Sequence, residues 1–165
     1  YAWSTDDPAR AAVFAEGPHC AAVQHSVNVL EDAPEMFALC EKLGLASVNR
    51  SPLAMGLLGG RRRPGQALEA GDVRSRPPAW LEGFVGGTGV DEEWFARVES
   101  LREVLTSGGR TLAQGALAWL WARSPRSIPI PGFRSVEQAE ENAGAIHKGP
   151  LTADQLTEIN RIMKR

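Results

Sequence analysis

A chain of 165 residues, 43% apolar and 23% charged, has the size and balance of one globular domain. Twenty acids against eighteen bases leave a net charge of −2, which excludes recognition of nucleic acid or another polyanion through bulk charge. Two cysteines, Cys20 and Cys40, are too few for a disulfide framework, and no Cys/His cluster has zinc-ligand spacing.

No apolar run approaches the roughly 20 residues of a membrane span, and no signal peptide opens the chain. No membrane partner and a reducing, cytoplasmic setting are therefore expected. The opening on Tyr rather than Met, at once in strand-like sequence, is expected of a piece of something longer. All but three of the basic residues are Arg, the exceptions being Lys42, Lys148 and Lys164, and Tyr1 is the one tyrosine. These scarcities limit the chemistry the chain can perform alone.

Tyr1-Ala2-Trp3-Ser4 is short and aromatic, and Thr5-Asp6-Asp7-Pro8 reads as a helix entry, with an acid at the cap and Pro in the first turn. An Ala-rich helix over 9–16 ends at Gly17-Pro18. Residues 21–27 read as a strand buried on at least one face. Pro34 opens a helix whose apolar positions Met36, Phe37, Leu39, Cys40 and Leu43 recur at helical spacing, and Gly44 ends it. A further strand covers 45–49.

From Ser51 to Gly89 the sequence turns rich in Gly and Pro, with Arg61-Arg62-Arg63 inside it and no periodicity. A loop this long in a compact domain is uncommon and usually functional, as a lid or binding loop; a disordered excursion is the alternative. Order returns with a helix over 91–105, then Gly108-Gly109 breaks the chain. Thr111-Leu112-Ala113-Gln114 fits a capping box, opening a helix to about Arg123. Residues 127–131 read as a short strand whose Pro129 and Pro131 suit an edge. Ser135 to Gln138 and Thr152 to Gln155 fit two more capping boxes, which open the last helices.

Four strands alternating with helices predict βαβ units and a parallel sheet. Four units fit a small doubly wound domain or half of a (β/α)8 barrel, and composition does not choose between them. In either architecture sites lie at the C-terminal ends of strands, here Ser4-Thr5, Gln24-His25, the run from Asn49 to Leu53, and the run from Pro131 to Ser135. In the last, Gly132 permits close backbone approach, Arg134 supplies a cation, and the helix start offers free amides. Those features suit a phosphate; the plain alternative is a capping Ser135 and a solvated Arg134. Gln138, Glu141 and Asn142 share a face of that helix and could read an adenosine, or simply meet solvent.

Nucleophilic catalysis has little support. Cys40 falls on an apolar helix face, and His19-Cys20 adjacency does not create hydrogen-bonding geometry. His25 points the opposite way from Gln24 on a strand. Asp91-Glu92-Glu93 suits a helix start better than a carboxylate pair. Arg61-Arg62-Arg63 could grip a phosphate but reads more simply as a solvated turn.

The segment Ser51-Pro52-Leu53-Ala54-Met55-Gly56-Leu57-Leu58-Gly59-Gly60 resembles the "SPLxxGLLxG" loop of aldo-keto reductases. Two further stretches, 111–120 and 128–135 continuing through Glu141-Asn142, resemble the same family in order and spacing. Tyr1 to Thr5 is similar to its fifth barrel strand, and Pro131-Gly132 to the end of its eighth.

The resemblance implies an α/β fold, the C-terminal half (four βα units) of a (β/α)8 TIM barrel, filling residues 1–165 with a long loop at about 51–90. It also implies hydride transfer between NADP(H) and an aldehyde or ketone. By position, Ser4, Thr5 and Gln24 would hold the nicotinamide carboxamide. Ser51, Pro52, Leu53 and Gly56 would line the pyrophosphate under the loop as a clamp. Gly132, Phe133, Arg134 and Gln138 would hold the ribose 2′-phosphate end, with Glu141 and Asn142 on the adenine.

Arg50 stands where the family often has a stacking aromatic, and Thr5 where many members have Asn; a guanidinium plane can also stack. The family's catalytic Asp, Tyr, Lys and His lie in the first half of the barrel, so no catalytic residue and no metal site is expected here. The expected partners are a carbonyl substrate in the intact enzyme, and an N-terminal half-barrel or a second copy of the chain. The alternative reading is a non-catalytic nucleotide-binding or interaction module of the same descent.

Overall fold

The computed structural model describes residues 1–69, 71–77, 83–85 and 89–165. A four-stranded parallel sheet runs β1 (Ala2–Ser4), β2 (Ala22–Ser26), β3 (Ala46–Arg50) and β6 (Ser127–Pro129), neighbours in that order. The spatial order follows the chain order without the reversal that marks a doubly wound sheet. Among the described residues six helices accompany it: α1 (Pro8–Phe14), α2 (Pro34–Leu43), α3 (Glu92–Thr106), α4 (Leu112–Arg123), α5 (Val136–Gly144) and α6 (Ala153–Met163).

The strand register places Val23 beside Ser47 and His25 beside Asn49. These four side chains are buried, whereas Gln24, Ser26, Val48 and Arg50 on the alternate face remain partly open. Alternation at period two sets this division. Val23 packs with Ala11, Met36, Cys40 and Leu45 under α1 and α2. On the other face Ile128 and Ile130 keep about half their surface, at 50% and 46%.

A second, larger core lies around α4, which is buried along most of its length through Leu112, Ala116, Leu117, Trp119 and Leu120. Leu101 and Leu105 of α3 and Ile159 of α6 close on it. Gly115 permits the approach of α3 and α4: a Cβ there would stand 2.1 Å from the Leu105 carbonyl oxygen.

Local chemistry sets the helix starts. Asp7 caps α1 by accepting from the Ala9 and Arg10 amides, and Asp91 caps α3. Full capping boxes open α4 at Thr111/Gln114 and α6 at Thr152/Gln155. The box expected at Ser135 is half-formed. Ser135 Oγ accepts from the Gln138 amide at 3.3 Å, but Gln138 Oε1 turns to the Arg134 amide at 2.7 Å. The side chain thus ties down the residue before the cap.

The stretch from 51 onward is more ordered than its lack of periodicity suggests. A kinked run of tight turns occupies Ala54–Gly59 and a 3₁₀ turn Val73–Ser75, and β4 (Phe84–Val85) pairs antiparallel with β5 (Gly89–Val90). Strands of two residues are too short to display alternation. Residues 70, 78–82 and 86–88, within the expected loop, lie outside the described residues. No helix among the described residues is long and apolar enough to cross a membrane.

Candidate functional site

The C-terminal ends of β3 and β6, the start of α5 and the segment after β3 enclose a cleft of about 560 Å³. Its walls include Ser51, Pro52, Leu53 and Gly56 from one side and Gly132, Phe133, Arg134, Gln138, Glu141 and Asn142 from the other. The two motifs at these strand ends are about 80 residues apart in sequence and meet because β3 and β6 are parallel neighbours.

Backbone strain is concentrated here. Ser51, Ala54 and Met55 hold φ of 54°, 46° and 52°, and Gly56 holds 96°. Left-handed residues without glycine cost free energy and persist only where their surroundings enforce them. Arg74 supplies the enforcement: its Nη1 donates to the Met55 carbonyl at 2.8 Å. Gly56 leaves room for it, since a Cβ there would lie 3.0 Å from Arg74 Nη1.

Arg74 is buried and is held in turn by Asp72. The Asp72 carboxylate accepts from Arg74 Nε at 2.8 Å, Nη2 at 2.5 Å and the Arg74 amide at 3.0 Å. These hydrogen bonds hold the Asp72 carboxyl well below the usual carboxylate range, so it is charged throughout the physiological range. Arg134 Nη2 lies 3.5 Å from the same carboxylate, with the Arg134 side chain 70% exposed. Arg61 approaches Glu141 at 3.9 Å.

Four arginines, Arg61, Arg62, Arg74 and Arg134, thus line the cleft, with Glu141 as its lining carboxylate. A lining with more cations than carboxylates can attract an anion. Gly132 adds an open approach, because a Cβ at that position would meet nothing within 4 Å. The fold itself does not require glycine there. The Asn142 side chain donates to the Gly132 carbonyl at 3.5 Å, tying α5 to the turn.

Ser4, Thr5, Gln24 and Arg50 lie at the same end of the sheet but outside the cleft lining. Gln24 Nε2 donates to Ser4 Oγ at 3.3 Å, so those two are brought together. Thr5 Oγ1 accepts from the Asp7 amide at 3.1 Å. The Arg50 guanidinium donates to Asp6, whose other carboxylate oxygen accepts from the Ser26 amide at 2.6 Å. Arg50 is therefore an ion-paired side chain at this end of the sheet.

Sequence reasoning did not single out Arg74 and Asp72, and it preferred a solvated turn to a phosphate grip for the arginine run, of which Arg61 and Arg62 line the cleft. The triple arginine is a visible signal that fits either reading. Asp72-x-Arg74 gave no signal, since its meaning depends on a carbonyl 19 residues earlier in the chain.

Other reactive groups stand apart from the cleft. Tyr1, at the opposite end of the sheet, donates its hydroxyl to the Phe14 carbonyl at 2.6 Å. His25 is buried on the helix-covered face, 2.7 Å from Ser47 Oγ and edge-on to Phe37, and burial pushes its pKa down. Cys40 is buried in the core, which pushes its thiol pKa up. Among the described residues no group of three or more His, Cys, Asp and Glu could hold a metal ion.

The family model for the aldo/keto reductase family matches residues 3–164. The aldo-keto reductase str7 of Strobilurus tenacellus is 29% identical over 144 residues, covering 85% of this chain and 40% of its own length. The aldo-keto reductase yakc [NADP(+)] of Schizosaccharomyces pombe is 28% identical over 130 residues, covering 75% of this chain and 36% of its own. Among solved structures, the glycerol dehydrogenase of Gluconobacter oxydans superposes with a TM-score of 0.78 at 20% identity. That match covers 98% of this chain and 48% of the other. The chain therefore spans half the length, or less, of the relatives it matches. With the family model spanning nearly every residue, the chain belongs to the aldo/keto reductase family.

Proposed function

We propose that these 165 residues are the cofactor-holding C-terminal half of a (β/α)8 reductase barrel that moves hydride between NADP(H) and an aldehyde or ketone. The observation that carries the reading is the arginine-lined cleft at the ends of β3 and β6. Its volume falls in the usual range for small-molecule and cofactor sites. The name of the yeast relative specifies NADP(+), in keeping with a site that has cations to spare.

The residues present fit that cofactor. Arg134, the α5 start and Gln138 would hold the 2′-phosphate, with Gly132 and Phe133 lying along the ribose. Ser51, Pro52, Leu53 and Gly56 would follow the pyrophosphate, Glu141 and Asn142 the adenine, and Ser4, Thr5 and Gln24 the carboxamide, with Arg50 beside it. When bound, NADPH supplies the hydride. This chain's own contribution is to bind and orient it.

A proton donor for the carbonyl oxygen has to come from elsewhere. Tyr1 is committed to Phe14 at the far end of the sheet. Lys42, Lys148 and Lys164 all lie at or beyond helix ends. We accordingly place the catalytic groups outside these residues and expect the chain alone to reduce no carbonyl.

Arg134→Ala tests the cofactor assignment. It should weaken NADPH binding by about 10- to 150-fold, the value of a lost charge-assisted contact, and leave NADH binding nearly unchanged. Equal weakening of both nucleotides would overturn the placement of the 2′-phosphate.

A further inference from the structure

The four arginines of the cleft are not equally committed. Arg74 is consumed by Asp72 and the Met55 carbonyl. Arg61 leans toward Glu141, and Arg134 shares the Asp72 carboxylate at 3.5 Å. Arg62 lines the same cleft, half-buried, and among the described residues its guanidinium has no hydrogen bond or ion pair. Burial and the neighbouring Arg74 and Arg134 charges oppose its protonation, while Asp72 and Glu69 favour it. Three cations, Arg62, Arg74 and Arg134, with Asp72 and Glu69 as the neighbouring carboxylates leave a local excess of positive charge at the cavity.

We infer that Arg62 is the second cation of the anion subsite, forming with Arg134 a two-arginine site for a phosphate monoester. A monoester carries about −1.5 to −2 near neutral pH and presents three terminal oxygens, enough for two guanidinium forks. A pyrophosphate oxygen pair with a single charge per phosphorus matches one fork. Asp72, whose buried carboxylate lies 3.5 Å from Arg134 Nη2, is the counter-ion with which a bound anion competes for Arg134. The identity of the monoester as a nucleotide 2′-phosphate rests on the NADP(H) reading. The two-arginine site does not.

The test titrates the intact protein with NADP⁺, with NAD⁺ and separately with inorganic phosphate. Wild type is compared with Arg62→Gln, which keeps the apolar stem, and with Arg62→Lys. Unchanged thermal unfolding of the variants serves as the folding control. Arg62→Gln should weaken NADP⁺ by about ten- to a hundredfold and NAD⁺ by less than about threefold, and should weaken phosphate as well. Arg62→Lys should recover part of the loss, since charge returns without the fork.

Equal weakening of both nucleotides, or no change in either, overturns the assignment of Arg62. If wild type binds neither nucleotide, the NADP(H) reading fails and the phosphate arm decides alone. Loss of phosphate binding in Arg62→Gln then upholds the two-arginine site. Phosphate binding that is unchanged in the variant, or absent from wild type, overturns it.

Discussion

Asp72 shows how much one carboxylate can organise. It caps the turn at Val73–Ser75, grips the Nε–Nη2 edge of the Arg74 guanidinium as a fork, and through Arg74 holds the left-handed turn at Met55 against the cleft. Removing its charge leaves Arg74 buried with half its partners, which costs more than the ion pair itself is worth. Asp72→Asn should destabilise the protein by about 1.5–3 kcal/mol at pH 7, measured by denaturant unfolding. The sign of the pH dependence follows from the lowered pKa. The carboxylate's contribution is fully present above the unfolded-state value near 4 and is lost as pH falls below it. The stability gap between wild type and Asp72→Asn should therefore narrow below about pH 4. A gap that is constant from pH 7 to pH 3 would show that the charge is not what holds the turn.

Among the elements, the α3–α4 contact gives a prediction whose sign separates two effects. Alanine is a better helix former than glycine by about 1 kcal/mol, so propensity alone has Gly115→Ala stabilise α4. Packing opposes it, because the added Cβ would stand 2.1 Å from the Leu105 carbonyl oxygen and 2.8 Å from the Leu105 Cβ. Backbone cannot swing aside as a side-chain tip can, and overpacking of this kind costs about 1–3 kcal/mol. The variant should unfold at lower denaturant concentration than wild type. Unchanged or raised stability would mean that α3 is free to move away.

The same scale explains what was legible in the sequence. Parallel strands alternating with helices, and the caps at Asp7, Asp91, Thr111 and Thr152, depend on neighbours within four residues and were readable. So were the two cleft motifs at Ser51 and Gly132, because strand ends are where such folds place sites. The Asp72–Arg74–Met55 chain was not, since it joins segments 17 to 19 residues apart by hydrogen bonds that no periodicity records. Arg62 stayed open to two readings because a run of arginines looks the same whether it meets solvent or a cavity. At Ser135 the local pattern was present, and a bond to Arg134 outcompeted it.

At the scale of the whole molecule, the sheet is open at β1 and at β6 among the described residues. Pro129 blunts the β6 edge by lacking an amide donor, but β1 has no such protection. Tyr1, Trp3 and Phe14 form an exposed aromatic cluster beside it, and Ile128 and Ile130 are exposed on the other face of the sheet. Apolar area of this kind drives association. The isolated chain should sediment at micromolar concentration as a dimer or larger species, or pair with an N-terminal half-barrel supplied in trans. A compact monomer that unfolds cooperatively would contradict this.

The most direct test of the central claim, a cofactor half-site without its catalytic half, is a titration of the chain with NADPH and with NADH. Binding is followed by quenching of tryptophan fluorescence, and nucleotide absorbance is recorded in the same cuvette with an aldehyde present. The expected result is saturable binding with NADPH preferred by at least about tenfold, and no aldehyde-dependent loss of NADPH absorbance. Equal affinity for the two nucleotides, no binding of either, or aldehyde-dependent NADPH oxidation by the chain alone would contradict the account.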